Sequence, residues 1–346
     1  MRKRILHILF SNKYSGAENI AINIIKGLNS KYDFAYTCPY GPIVEVLKKE
    51  GINYIQLEGM SLFKVRHIVQ KWKPDIIHAH DFRASILSAF SLLSVPVISH
   101  LHNNPLWIKS LNLYSIIFYI ASYKFTKILT VSNAFSDEYI FSRHIKNKIV
   151  VVHNAVDIEK VKSMAKKIEN TEQYDLVFIG RLTEQKDPIR FIDIVTELHT
   201  KYPNITAAII GDGEYRADCE RHVYERGAEK YIKMYGFVQN PFAIIKNARI
   251  VVMPSKWEGF GLSAVEAMAL GKPVLASPVG GLKEIIDNSC GRLCRTNEEF
   301  VDACIEFLVN SDYYAEASAG AYKRALKFGD IEGYCGKISN VYEEIK

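Results

Sequence analysis

The sequence predicts an α/β protein in which two doubly wound parallel-sheet domains follow one another along the chain. Two observations support this prediction. Short apolar runs typical of buried strands alternate, over most of the 346 residues, with runs whose apolar residues recur at helical spacing. A polar stretch near the middle interrupts this alternation, which then starts again. Strands that alternate with helices of this length form parallel sheets with right-handed crossovers.

The first half of the chain contains the first predicted sheet. Its opening residues, MRKRILHILF, are basic and then apolar, but the apolar run is too short for a signal peptide, so we expect a strand there. Strands are predicted at residues 5–10, 33–38, 54–57, 75–80, 96–100, 127–131 and 149–152. Helices are predicted at residues 17–28, 43–50, 62–71, 83–93, 114–125 and 136–141.

The second half contains the second predicted sheet. Residues 156–173, polar and charged over 161–173, are predicted to link a first domain, 1–155, to a second, 174–328. Strands are predicted at residues 176–179, 205–210, 232–235, 248–253 and 273–276. Helices are predicted at residues 188–199, 215–226, 242–247, 262–270, 297–309, 313–327 and 334–345.

Charge is distributed unevenly between the two halves. Residues 1–155 contain 19 Lys and Arg against 9 Asp and Glu, a net charge of +10, whereas residues 156–346 contain 25 against 29, a net charge of −4. A basic first half indicates either a solvated lysine-rich surface or an acidic partner. No nucleic-acid-binding motif is present, so we expect no nucleic acid. Six cysteines without paired metal-type spacing predict free thiols in a reducing cytosol.

Two cations lie in a predicted loop at the end of a strand. Residues 178–188, FIGRLTEQKDP, place Arg181 and Lys186 just before a predicted helix. Cations beside a helix N-terminus form a phosphate site, because the backbone amides and the macrodipole also attract anions. Gly211 ends the next strand within IIGDGEYR, a weaker signal because tight turns use these residues as well.

Two carboxylates flank another glycine-rich loop. Glu258 precedes Gly259, Phe260, Gly261 and Leu262, and Glu266 follows in the predicted helix. Both acids can approach one site at the start of that helix, where its dipole favours a negative charge. They could accept hydrogen bonds from ribose or sugar hydroxyls, or they could form a hydrolytic acid/base pair.

Four histidines lie at the ends of two predicted strands: His78, His80, His100 and His102. Strand alternation places each pair on one face. We expect buried, hydrogen-bonded histidines rather than a metal site, because no cysteine or carboxylate pattern accompanies them. His102, which leaves its strand into a loop, is the best candidate to face a ligand. Gly16, between the first strand and helix, allows close approach of the backbone to a ligand.

These residues together resemble the family-4 retaining glycosyltransferases, also called glycosyl transferases group 1. The strongest match is the spacing from Glu258 to Glu266, which resembles that family's E-x7-E motif, with flanking residues 267–274 and 280–284. Weaker matches extend the resemblance over nearly the whole chain, at residues 75–80, 131–133, 154–157, 180–186 and 211–213. The chain departs from the family where glycine is usual, at Ser15, Ala155 and Asp187.

The resemblance implies the GT-B fold, with two Rossmann-like domains facing an interdomain cleft and a last segment, 329–346, that crosses back to the first domain. It implies that Arg181 and Lys186 bind the donor diphosphate, Glu266 the ribose, and Glu258 with residues 259–262 the transferred sugar. Gly211 and Val238 would border the nucleotide, and Gly16 and His102 would face the reacting centre. Arg181, Lys186, Glu258 and His102 would therefore be the catalytic set, with no metal or other cofactor.

The implied reaction is the transfer of a hexose or N-acetylhexosamine from a nucleotide diphosphate sugar, with retention of configuration. A UDP-sugar is expected in preference to a GDP-sugar. The expected acceptor is a glycan or a lipid-diphosphate-linked glycan of a bacterial surface polysaccharide. We expect a cytoplasmic enzyme that associates with the anionic inner face of the plasma membrane through its basic first domain. The alternatives are a catalytically silent partner subunit with this fold, and a nucleotide-sugar epimerase or oxidoreductase, for which the glycine fingerprint is missing.

Overall fold

The computed structural model describes residues 2–91, 94–167 and 172–345. The end of the predicted helix 83–93 and residues 168–171 of the predicted linker lie outside the described residues. The chain divides into two compact units. One unit comprises Met1–Asn154 together with Ile331–Lys346, and the other comprises Ala155–Asp330.

The first unit is built on a seven-stranded sheet. Its strands, all paired in parallel, are β1 (Arg4–Ile8), β2 (Asp33–Cys38), β3 (Tyr54–Gln56), β4 (Ile76–His80), β5 (Val97–Leu101), β6 (Phe125–Thr130) and β7 (Ile149–Val151), in the order β3-β2-β1-β4-β5-β6-β7. The helices are α1 (Gly16–Leu28), α2 (Ile43–Lys49), α3 (Leu62–Trp72), α4 (Asp81–Phe90), α5 (Leu113–Ser122), α6 (Ala134–Glu138) and α7 (Ser142–Ile145).

The second unit is built on a six-stranded parallel sheet. Its strands are β8 (Tyr174–Ile179), β9 (Ala207–Ile210), β10 (Ile232–Gly236), β11 (Ala248–Met253), β12 (Val274–Ala276) and β13 (Gly291–Leu293), in the order β10-β9-β8-β11-β12-β13. The helices are α8 (Ile158–Lys166), α9 (Pro188–Lys201), α10 (Arg216–Glu225), α11 (Phe242–Lys246), α12 (Leu262–Ala269), α13 (Leu282–Ile285), α14 (Asn297–Val309) and α15 (Ser311–Leu326). The last helix, α16 (Ile331–Glu344), belongs to the first unit, where it contacts α1.

Both sheets reverse their strand order at one point. In the first sheet, successive strands are added on one side of β1 as far as β3 and, from β4 onwards, on its other side. In the second sheet the same change of side falls between β8 and β11. Ligands of such sheets bind beyond the carboxyl ends of the strands at this switch point. The central strands are buried on both faces, which explains why their sequences are continuous apolar runs. The predicted fold class, two doubly wound parallel sheets, is confirmed.

The predicted linker 156–173 needs correction. Residues Ile158–Lys166 form α8 of the second unit, with Ile158, Val161 and Ala165 buried and the lysines mostly outside. Asp157 caps this helix, because its Oδ1 accepts a hydrogen bond from the Lys160 N–H at 2.9 Å. Four apolar residues at helical spacing lie among charged and polar ones in this segment, so its composition predicted a linker and not a helix.

Short elements and boundaries account for the other differences from the predictions. β13 was missed because three residues at a sheet edge have too little pattern, and α7 and α13 have four residues each. β6 begins at Phe125, so the helix predicted to end there stops at Ser122 instead. Among the described residues, no helix is both long enough and apolar enough to cross a membrane.

Candidate functional site

Neighbouring strands of the second sheet end at glycines that hydrogen-bond to the next strand. The Gly180 N–H donates to the Ile210 carbonyl at 3.0 Å, and the Gly211 N–H donates to the Gly236 carbonyl at 2.8 Å. Gly211 has φ +140°, and a Cβ there would lie 1.8 Å from the Gly180 carbonyl oxygen. Only glycine allows this approach. Val238, half-buried, follows β10 at the same edge of the sheet.

Arg181 and Lys186 both lie in the loop between β8 and α9. The Arg181 Nη2 donates to Gln185 Oε1 at 3.2 Å, and the Gln185 Nε2 donates to the Trp257 carbonyl at 3.2 Å. The Gln185 carbonyl also accepts from the Lys256 N–H at 2.9 Å. Gln185, only 6% exposed, therefore fastens the cation-bearing loop to the loop after β11. A single glutamine in a polar loop has no signal in the sequence, so this residue was not predicted.

An ion pair joins Lys186 to Glu258. The Lys186 Nζ contacts the Glu258 Oε2, and the two side chains are only 13% and 10% exposed. Charges in such surroundings are screened weakly, and each needs a partner of opposite sign. A ligand phosphate bound to Lys186 would therefore replace Glu258 as its partner. Glu258 would then be free to accept hydrogen bonds from hydroxyl groups.

Glu266 lies in the second turn of α12, near enough to Lys186 for the lysine charge to affect it. Burial raises the pKa of this carboxyl to about 7, and the charges of Lys186 and Lys160 lower it by a smaller amount. The helix dipole was expected to favour its charge, but burial has the larger effect. The charge of Lys186 thus acts on both predicted carboxylates, as the direct partner of Glu258 and at longer range on Glu266. Lys160, on α8, was not predicted because its segment was assigned to a linker.

The loop from Glu258 to Gly261 is held by the glycines that follow β12. Gly280 has φ +51°, and a Cβ there would lie 1.8 Å from the Glu258 carbonyl oxygen. The Gly281 N–H donates to the Gly259 carbonyl at 2.9 Å. Gly261, with φ +106°, turns the backbone into α12. Gly280 and Gly281 need to be glycine because a side chain would displace the carbonyls against which they pack, and a Cβ at Gly261 would lie 2.7 Å from the Leu282 side chain.

Phe260 and Leu262 are the other two predicted residues of this loop, and they offer a ligand only backbone groups or a half-buried side chain. The Phe260 side chain is 2% exposed, and its ring packs 5.5 Å from the ring of Phe328. A ligand could therefore meet the Phe260 backbone but not its ring. Leu262, half-buried, is the first residue of α12. The first N–H groups of a helix have no partner within it and attract anions.

In the first unit, five histidines lie together on β1, β4 and the end of β5. The register pairs His7 with His78 and His80 with His100 on adjacent strands. The first four are buried, and His102 is half-buried. His7 was not singled out in the sequence, because a lone histidine in an apolar strand usually belongs to the core.

Burial keeps these histidines neutral. It lowers the pKa of His7 to about 3 and that of His102 to about 4, and the pKa values of the other three fall well below the usual range. Their nitrogens hydrogen-bond to one another, as the sequence predicted. Two sets have nitrogens within 4.8 Å of one another and could hold a metal ion: His7, His78 and His80, and His80, His100 and His102.

Gly16 begins α1, immediately after the loop that follows β1. The Ser15 hydroxyl beside it donates to Glu18 Oε2, and Glu18 is only 2% exposed. The negative charge of Glu18 raises the pKa of His102, against the larger lowering caused by burial. Gly16, Glu18 and His102 are therefore associated in the first unit, and Glu18 was not predicted.

Comparisons with known proteins identify the family and the fold. Two family models match the chain, "Glycosyltransferase Family 4" over residues 14–160 and "Glycosyl transferases group 1" over residues 159–324. An uncharacterized glycosyltransferase of Methanocaldococcus jannaschii, MJ1059, is 30% identical in an alignment of 288 positions that covers 74% of this chain and 71% of the relative. The UDP-Gal:alpha-D-GlcNAc-diphosphoundecaprenol alpha-1,3-galactosyltransferase of Escherichia coli is 26% identical in an alignment of 339 positions that covers 88% of this chain and 87% of the relative.

Among solved structures, Anabaena Alr3699/HepE in complex with UDP and glucose aligns with 99% of this chain and 100% of its own, at a TM-score of 0.87 and 21% identity. At that identity the likeness concerns the fold. The fold comparison, the two family models and the archaeal relative agree with one another. The chain therefore belongs to the glycosyltransferases of family 4, the glycosyl transferases group 1, which are retaining hexosyltransferases with the GT-B fold.

Proposed function

We propose that this enzyme transfers a hexose or N-acetylhexosamine from a UDP-sugar to a glycan or lipid-diphosphate-linked glycan during synthesis of a bacterial surface polysaccharide. The observation that supports the donor side best is the cluster of Lys186, Glu258 and Glu266 at the carboxyl ends of β8 and β11. It combines a site for phosphate with two acceptors for hydroxyl groups. A nucleotide sugar contains both kinds of group.

In this proposal the second unit holds the donor. Arg181 and Lys186 bind the diphosphate together with the first N–H groups of α12. Glu266 accepts hydrogen bonds from the ribose hydroxyls. Glu258, released from Lys186, accepts from the sugar hydroxyls, which also meet the backbone of residues 259–262. Gly211 and Val238 border the nucleotide.

The bond between the sugar C1 and the diphosphate oxygen breaks, and the acceptor oxygen forms a new bond to C1 on the same face. The acceptor proton passes to the departing phosphate. Lys186 and Arg181 stabilise the charge that develops on that phosphate, which is the largest contribution expected from fixed cations in a covered site. His102, held neutral, positions the reacting groups as a hydrogen-bonding partner.

The acceptor proposal is supported by the Escherichia coli relative, whose name specifies a UDP-sugar donor and a lipid-diphosphate acceptor. A lipid-linked acceptor requires the enzyme to work at a membrane surface. We propose that the first unit docks on an anionic inner leaflet and that the enzyme is cytoplasmic. The surface that supports this comprises α5, which has no charged residue, and the segment before it. Its exposed apolar side chains are Leu106, Leu111, Leu113, Tyr114, Ile120 and Tyr123.

Cations surround this apolar surface. The Lys148 Nζ donates to the Ser122 and Tyr123 carbonyls at the end of α5, at 2.9 and 3.1 Å. Lys124, Arg143 and Lys146 are exposed in the adjoining segments. Apolar side chains bordered by cations suit the boundary between anionic headgroups and acyl chains.

A panel of UDP- and GDP-sugars tests the donor proposal, with a lipid-diphosphate-linked N-acetylhexosamine as acceptor and product mass as the readout. We expect one UDP-sugar to be transferred with retention. Glu258→Gln should keep or increase the affinity for UDP, because Lys186 loses its competing partner, and should lower transfer by about 100-fold or more. UDP binding without transfer of any sugar would instead favour a silent partner subunit. Conversion of the free nucleotide sugar would favour an epimerase.

A further inference from the structure

The five histidines of the first unit and one tyrosine of α16 form a continuous chain of hydrogen bonds. His102 Nε2 lies 2.8 Å from His80 Nδ1, and His80 Nε2 lies 2.9 Å from His7 Nδ1. The Tyr342 hydroxyl lies 3.4 Å from His7 Nε2 and 2.6 Å from His78 Nδ1. His78 Nε2 lies 3.0 Å from His100 Nδ1, which completes the chain.

The rings are oriented for these bonds. Hydrogen-bonded neighbours are nearly coplanar, with 7° between the planes of His80 and His102, 19° between His78 and His100, and 25° between His7 and His80. Each facing nitrogen therefore directs its proton or lone pair at its neighbour. Tyr342, whose side chain is fully buried, is the link between the two rows of rings.

Every link between two histidines joins a Nδ1 to a Nε2, which restricts the protons. A neutral imidazole has one N–H and one lone pair. If His80 donates from Nδ1 to His102, its Nε2 must accept from His7 Nδ1, and the Tyr342 hydroxyl must then donate to His7 Nε2. That hydroxyl must in turn accept from His78 Nδ1. All five histidines are then Nδ1–H tautomers. If His7 instead donates from Nε2, the buried Tyr342 hydroxyl must donate to His78 Nδ1 for its own proton to have a partner, and all five are Nε2–H tautomers.

Both ends of the chain are nitrogens without a partner among the described residues. These are Nδ1 of His102 and Nε2 of His100, and both atoms are buried. In the ligand-free protein neither end therefore has a group to which a net proton could pass, so the chain sets tautomers rather than conducting charge. One end is His102, the residue proposed to meet the reacting groups, and Tyr342 lies in the middle.

We propose that Tyr342 is a positioning residue for His102, which it controls by coupling the tautomers of all five histidines. Whether the free nitrogen of His102 donates or accepts a hydrogen bond is then decided for the whole chain at once. The effect on turnover rests on the proposed function, whereas the coupling of tautomers does not. Experiments can therefore test the coupling of tautomers separately from the effect on turnover.

The first test is a two-bond ¹H–¹⁵N spectrum of the wild-type protein labelled at histidine. The signals of the five linked histidines are assigned by single substitutions. We expect one shared tautomer for all five. A mixture, with some Nδ1–H and some Nε2–H in the wild-type protein, would overturn the proposal. This measurement needs neither donor nor acceptor, so it holds even if no sugar is transferred, and it needs no variant at position 342.

The second test compares Tyr342→Phe with Tyr334→Phe. Tyr334 is a matched control, since it is buried on the same helix and its hydroxyl has no partner among the described residues. Tyr342→Phe should leave His102 distributed between its two tautomers. Because only one tautomer would support turnover, kcat should fall about 2- to 10-fold, and the donor KM should be unchanged. Tyr334→Phe should change neither. An unaltered His102 tautomer in folded Tyr342→Phe would overturn the proposal.

Discussion

Lys186 is the residue on which the proposed donor site depends most. It is paired with Glu258, and its charge lowers the pKa of Glu266. A lysine paired with a carboxylate can exchange it for another anion without being left uncompensated, which limits the cost of opening the site. In the ligand-free protein Lys186 and Glu258 therefore pair with each other, and the same two groups would contact the donor when it binds.

Replacing Lys186 by alanine should lower turnover with the preferred nucleotide sugar by at least about 100-fold, because the departing diphosphate loses a fixed positive charge. Steady-state kinetics with product mass detection measures the effect. Lys201→Ala is the matched control, since Lys201 ends the helix that Lys186 precedes and forms only an exposed pair with Asp302 at 3.7 Å. Turnover within threefold of wild type in the Lys186 variant would reject its role.

Glu266→Gln should stabilise the ligand-free protein at high pH. The folded-state pKa of about 7 lies above the ordinary 4.5, so between these values the folded state binds more protons than the unfolded state, and stability falls as pH rises. Above pH 7 the variant should gain up to about 3 kcal/mol, and below pH 4.5 it should gain nothing from this cause.

Denaturant melts at pH 4.5 and pH 8 measure this difference. Glu316→Gln, at an exposed position of α15, is the control and should change stability at neither pH. An equal gain for Glu266→Gln at both pH values would mean that the charge of Glu266 is not the cause. Because the variant loses a hydroxyl acceptor, it should also bind UDP more weakly.

At the scale of elements, the loops after β11 and β12 hold each other in place by backbone contacts. Gly280→Ala should therefore displace the Glu258 carbonyl, weaken donor binding and destabilise the protein. Gly227→Ala is a matched control, since Gly227 has a similar φ of +62° and a Cβ there would meet no atom within 4 Å. The control should lose only about 1–2 kcal/mol from backbone strain.

UDP affinity by calorimetry and stability by denaturant melts distinguish the two effects. The Gly280 variant should lose more stability than the Gly227 variant and should alone lose UDP affinity. Equal losses in both would show that strain at positive φ explains the effect and that contact between the loops does not matter for the site.

Long elements were predictable because their patterns are strong, and short or charged ones were not. β11, Ala248–Met253, was predicted to the residue from a run of apolar residues that only Arg249 interrupts. α8 was missed because only one narrow face is buried, and β13 because pairing with β12, not its own composition, makes it a strand. Pairing is a tertiary property, so no local pattern reports it.

At the scale of the whole molecule, the charge asymmetry becomes meaningful only together with the apolar surface around α5. We expect the protein to bind vesicles containing phosphatidylglycerol and to release them as salt increases, because the cations act through a screened potential. Leu113→Glu should weaken binding by about 10-fold or more, since burying a leucine stabilises by about 1.5–3 kcal/mol.

Vesicle flotation over a salt series measures this binding. Tyr224→Glu is the control, because Tyr224 is 74% exposed on α10 of the second unit, whereas Leu113 is 68% exposed on α5. Binding that does not depend on the anionic lipid fraction would contradict the proposal. Self-association that Leu113→Glu abolishes, without any vesicle binding, would assign the surface to a second copy of the chain.

The sequence by itself determined the fold class and the family, because parallel sheets and their glycine turns leave local patterns at regular spacing. Tertiary structure decided the interactions. It paired Lys186 with Glu258 and raised the pKa of Glu266 by burial. It also connected His102 to Tyr342, 240 positions away in the chain, through histidines on three adjacent strands. Hydrogen bonds and charge pairs depend on which strands lie side by side, and only the folded sheet sets that order.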